Sequence, residues 1–185
     1  MEIVEDWAGE ILDFWFGELT PADWFSGGKE LDERIRDRFS DLYLQLSQET
    51  PQVAMTDPEA ALAAIIALDQ FPRNMFRGTP EAFATDHKAL ALARNALQRG
   101  FDQGMTPEQR QFLAMPLMHS ETLDDQHRCV EIFRDIGNED ALKYALEHRD
   151  IVERFGRFPH RNRALGRDSS EAETAFLQGH KGYGQ

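Results

Sequence analysis

Asp57-Pro58-Glu59-Ala60-Ala61-Leu62-Ala63-Ala64-Ile65-Ile66-Ala67-Leu68-Asp69-Gln70 (57–70) opens with three signals of a helix start. Asp57 is an N-cap side chain able to accept from a free backbone N–H of the first turn. Pro58 stands where a missing N–H costs nothing, and Glu59 faces the positive end of the helix dipole. Leu62, Ile65 and Ile66 then recur at helical spacing, so the stretch predicts a helix over 58–70. The same chemistry recurs at Thr79-Pro80-Glu81 and Thr106-Pro107-Glu108, and Thr106 with Gln109 and Ser170 with Glu173 have capping-box spacing.

Outward from these starts, Trp7, Ile11, Phe14 and Trp15 share one helical face, as do Leu31, Ile35, Phe39, Leu42 and Leu46. Helices are expected over 3–16, 29–48, 58–70, 80–99, 107–118, 121–135, 138–155 and 170–178, and no stretch alternates like a half-buried strand. The fold class is all-α. Short connections rich in Gly and Pro turn the chain back on itself, which predicts one domain over 1–178 of stacked antiparallel hairpins, with a frayed tail over 179–185.

Composition narrows function. The first residues carry neither a basic nor an apolar leader region, no apolar run spans a bilayer, and Cys129 stands alone. Cytosol is therefore the default expectation, with no membrane association and no disulfide framework. A net charge of −13 disfavours generic nucleic-acid binding. The charge is uneven, however. Residues 1–60 hold 15 acids against four bases, whereas 148–167 hold six arginines against Asp150 and Glu153.

That basic segment contains an echo. Phe71-Pro72-Arg73-Asn74, followed by Arg77-Gly78, parallels Phe158-Pro159-His160-Arg161-Asn162, followed by Gly166-Arg167. In both, proline is expected to drive the preceding Phe out of the α region and end the helix, leaving Arg and Asn on a constrained loop. Arginine bonds a phosphate or carboxylate through two parallel N–H groups. A small anionic ligand is therefore the leading expectation, held by Arg73, Asn74, Arg77, Arg157, Arg161, Asn162 and Arg163, with His160 beside them. The bland alternative is that these arginines cap helix ends and neutralise the acidic half.

Ionisable residues on apolar stripes form the expected supporting shell: Asp69 follows Ile65 and Ile66, Asp86 lies between Phe83 and Leu90, and His148 shares a face with Ala145, Ile151 and Val152. If the chain is an enzyme, hydrolysis or group transfer with His148 or His160 as general base is the expected form. Pro116 bends or ends its helix, which would aim His119 and Glu121 inward. Those two with Asp124 and His127 match no strong metal template, and there is no phosphate-binding glycine loop, dinucleotide fingerprint or nucleophile elbow. No metal or cofactor is implied. A protein partner on an aromatic N-terminus (Trp7, Phe14, Trp15, Phe16, Trp24, Phe25) is the second expectation. RNA stacked on Phe155 and Phe158 is a weaker third.

Three segments, LDQFPRNMFRGTPEAFATD (68–86), FLAMPLMHSE (112–121) with Asp125-Gln126, and HRDIVERFGRFPHRNRALGR with the following Ser-Ser-x-x-Glu (148–173), resemble the bacterial domain-of-unknown-function family 924. The likeness runs from about Ile11 to Leu177. It implies a TPR-like stack of helices and brings no activity with it; no 34-residue repeat signature is visible in the chain.

Overall fold

The computed structural model describes residues 6–26, 28–180 and 182. The first residues of the expected helix 3–16, and most of the expected tail, lie outside them. Among the described residues the elements are helices and turns, in the order α1 (Trp7–Leu12), α2 (Pro21–Ser26), α3 (Lys29–Gln48), α4 (Pro58–Ile65), α5 (Phe71–Met75), α6 (Asp86–Gln98), α7 (Pro107–Met118), α8 (Leu123–Ile136), α9 (Glu139–Phe155) and α10 (Glu171–Gly179). The all-α expectation holds. Helices α6 to α9 each contact the next in sequence, and α4 packs against α1, α6 and α7. This is the neighbour order that short connections dictate.

Helix α4 occupies the centre because its residues from Ala60 to Ile65 are all buried. Aromatic rings from α1 and its continuation pack close by: Phe14 lies 5.0 Å from Phe39, and Trp15 5.4 Å from Phe112. Trp7, Phe14 and Trp15 are therefore core, and Phe25 is the one strongly exposed aromatic of the N-terminal set. A small second cluster of Ile151, Val152 and Phe158, with Phe155 and Phe176 against it, lies where α9 and α10 meet.

The capping signals hold at three of four starts. Asp57 accepts from Ala60 N at 2.8 Å, and Thr106–Gln109 and Ser170–Glu173 both close as capping boxes. Thr79 does not start a long helix. Its hydroxyl turns back to the Phe76 carbonyl, Pro80–Phe83 forms a single 3₁₀ turn, and α6 begins only at Asp86. Asp86 thus stands in a first turn, where its side chain is free to reach other elements.

Pro72 also departs from expectation. Phe71 keeps α geometry (φ −56°, ψ −45°) and the chain continues helically to Met75. The proline is accommodated by a π-helical segment over Ile66–Gln70, in which the Phe71 N–H donates to the Ile66 carbonyl. A proline removes the bond its own N–H would give to the residue four before it. That residue is Leu68, and its carbonyl accepts instead from the Thr85 hydroxyl at 2.6 Å. The second half of the echo behaves as expected: α9 stops at Gly156 (φ 69°), and Phe158 is extended. Pro116 is carried inside α7, which ends at His119.

Candidate functional site

Asp69 ends up fully buried because it lies on the inward face of the π-helical segment. An ionised carboxylate at such a position needs partners. It accepts from His119 Nδ1 at 2.8 Å, from the Gln70 amide, and lies 3.3 Å from Arg73 Nη1. Burial works to raise the Asp69 carboxyl. The His119 ring and the Arg73 guanidinium, with hydrogen bonds from His119 and Gln70, outweigh burial and hold it at about 2.

Arg73 in turn grips Asp86 with both terminal nitrogens, at 2.7 and 2.9 Å, and donates to the Asp69 carbonyl at 2.6 Å. Arg161, its counterpart in the echo, arrives on the Pro159–Arg161 turn. It reaches the same Asp86 at a longer 3.4 Å and donates to the His119 carbonyl at 3.0 Å. Both guanidinium groups lie over the half-buried Phe83 ring, Arg73 at 5.6 Å and Arg161 at 4.8 Å, and Arg161 also lies 4.8 Å from the Phe158 ring. The two echo segments therefore converge, and the residues that meet are their arginines.

The electrostatics of the pair are unequal. Arg73 has Asp69 and Asp86 within reach, and its pKa is raised despite burial. Arg161 has a distant share of one carboxylate. Burial and the neighbouring Arg73 pull it down to about 10. The Nε–H of each arginine is buried without a hydrogen-bond partner. His119 is lowered by burial and by Arg73, against the opposing pull of Asp69. It is neutral at pH 7, with its Nδ1 proton directed at Asp69.

The other expected donors go elsewhere. Asn74 and Arg77 both donate to Asp32 on α3, at 2.8 and 2.9 Å. Arg157 forms a two-pronged pair with Glu173 at 2.7 and 2.9 Å, and this pair with the Ser170 N–H holds the Glu173 carboxyl at about 2. Asn162 bridges Ser169 and Arg167. Arg163 is exposed. Glu121 receives the Phe158 N–H and a two-pronged grip from Arg167, so it ties the second echo segment in place. Arg167, Asp32 and Phe83 were not singled out from sequence. Asp32 and Phe83 carry no local signal, whereas Arg167 stands in the echo.

The two histidines expected as a base are both held by partners within the protein. His148 is buried, donates Nδ1–H to the Tyr144 carbonyl at 2.7 Å, and packs 5.4 Å from Phe158. Burial drives it down to about 3. His160 meets His180 at 2.9 Å and lies against Phe176. Two imidazoles have a carboxylate at hydrogen-bond distance, His180 with Glu147 at 2.7 Å and His119 with Asp69, and of these His119 is the one within the arginine cluster. Among the described residues no group of three or more His, Cys, Asp or Glu is arranged to hold a metal ion. Two surface cavities, of about 520 and 740 Å³, are lined from α9 and α10 by residues including Arg154, Phe155, Glu173 and Phe176, away from this cluster.

A helical domain in which two arginines distant in sequence, one on a short helix and one on a 3₁₀ turn, close on one carboxylate–histidine cluster is the class that fold and site define. The chain belongs to the family described as bacterial protein of unknown function (DUF924), which matches residues 11–181. A solved structure, the protein of unknown function ATU0120 from Agrobacterium tumefaciens, is 38% identical and superposes with a TM-score of 0.88, covering 94% of this chain and 97% of that one. No curated protein matches. The family resemblance carried by the three quoted segments is thereby confirmed, and no helix among the described residues is long and apolar enough to cross a membrane.

Proposed function

We propose that the protein binds a small molecule through an anionic group at Arg161, with Arg73, Asp86 and Phe83 forming the walls. The observation that carries this reading is the unequal sharing of Asp86. Two buried guanidinium groups meet one carboxylate, the second holds it only at 3.4 Å, and its Nε–H has no acceptor. A buried cation with a distant counter-charge and an unused donor gains most from an incoming anion. The remaining donors of the sequence expectation, Asn74, Arg77, Arg157 and Asn162, are engaged by the protein's own acceptors and are not part of the proposed site.

A thermal-shift series with inorganic phosphate, sulfate and small carboxylates tests the proposal. Binding to the folded state alone at about 100 times Kd adds about 2.7 kcal/mol, a shift of several degrees for a chain of this size. Arg161→Lys keeps a cation but loses the planar fork, and is expected to remain folded with an anion response at least tenfold weaker. An unchanged response in that variant, or no response to any anion in the native chain, overturns the reading.

A further inference from the structure

The cluster also contains a ring nitrogen with no hydrogen-bond partner among the described residues. His119 gives its Nδ1 proton to Asp69 at 2.8 Å, and the ring is 10% exposed. Nε2 makes no hydrogen bond among the described residues. Because burial and Arg73 keep the ring neutral, Nε2 presents a bare lone pair. Arg161 stands within 3.0 Å of the backbone oxygen of this same residue. The guanidinium is thereby tied to the residue that carries the acceptor. A ligand group that reaches both must present an acceptor to one and a proton to the other.

The charges restrict that group further. Asp69 and Asp86 already balance Arg73 and Arg161, with His119 neutral. A fully deprotonated anion would place its oxygens against the Nε2 lone pair and near the Asp86 carboxylate. A group that carries a negative oxygen and an O–H together avoids both conflicts, because the oxygen receives Arg161 and the O–H is donated to Nε2. Hydrogen phosphate has this arrangement, and phosphate esters of a single alcohol share it in their monoanion, the minor form at pH 7 because their second pKa is near 6. Sulfate has the same tetrahedral shape and no proton at neutral pH.

We infer that the ligand group is a hydrogen phosphate, free or as a phosphomonoester, with His119 Nε2 accepting its proton-bearing oxygen and Arg161 donating to an unprotonated one. This rests on the proposed anion site, and the test separates the two. Isothermal titration of the full chain at pH 7 with inorganic phosphate and with sodium sulfate is expected to give a Kd at least tenfold lower for phosphate, since a site that must leave a buried polar group unmatched rejects the analogue strongly. His119→Asn keeps a donor for Asp69 and removes Nε2; in it the two affinities are expected to come within about twofold, because phosphate loses its acceptor and sulfate no longer meets the lone pair. Equal affinities in the native chain, or a preference for sulfate, overturn this inference and leave the anion site standing. Absence of binding by both ions overturns both. The native-chain comparison decides even if the variant does not fold.

Discussion

Replacement of Asp69 by alanine is expected to lower the unfolding free energy by about 3–5 kcal/mol, the range for removing one partner of a buried ion pair. The side chain is fully buried, so no water replaces it, and His119 Nδ1–H, Gln70 and Arg73 lose an acceptor together. Arg73 would keep Asp86 while Asp86 continued to serve Arg161, leaving two buried cations on one anion. At roughly 2–4 °C per kcal/mol for a chain of this size, the midpoint falls by about 10 °C. Asp69→Asn retains an acceptor oxygen and is expected to fall between alanine and native. A loss under about 1 kcal/mol for Asp69→Ala, measured by denaturant titration, would show that Asp86 alone suffices.

His148 gives the second large effect, and it is a dependence on pH. Its folded pKa of about 3 lies below the ordinary value of about 6.5. The unfolded chain therefore binds a proton that the folded chain refuses, so this contribution is intact above pH 6.5 and declines as pH falls from there toward 3. The slope is about 1.4 kcal/mol per pH unit, so between pH 6.5 and 4.5 this one residue removes about 2–3 kcal/mol. His148→Phe keeps an aromatic ring against Phe158 and cannot titrate. Urea midpoints at the two pH values should lie closer together in the variant by that amount, and an unchanged gap would place the acid sensitivity elsewhere. Asp69 adds its own loss only at lower pH, because below about pH 4 the unfolded chain's carboxyl takes up a proton that the folded one, held at about 2, still refuses.

Much of the fold could be read locally because caps are local. Asp57, Thr106 and Ser170 each bond an N–H three residues on, inside the window that sequence displays. Pro72 misled for the opposite reason. Whether a proline ends a helix depends on who satisfies the freed carbonyl, and here that is Thr85, 17 residues from Leu68 and invisible to periodicity. In the site, Asp69, Asp86, Arg73 and Arg161 were all legible as ionisable groups on apolar faces or in the echo. Their pairing was not, and neither was the diversion of Asn74 and Arg77 to Asp32, more than 40 residues away. The choice among histidines also turned on geometry: His148 and His119 are equally buried, but only His119 has a carboxylate behind its ring.

The joining of the two echo arginines at Asp86 also bears on lifetime. Arg161 reaches Asp86 across 75 residues and the His119 carbonyl across 42, and His119 reaches Asp69 across 50. Contacts that close such long loops are costly in chain entropy and form after local helices have docked. Interactions absent from the folding transition state act on the rate of escape from the native state rather than on the rate of reaching it. Loss of the cluster is therefore expected to speed unfolding more than it slows folding, which the two limbs of a denaturant chevron would separate.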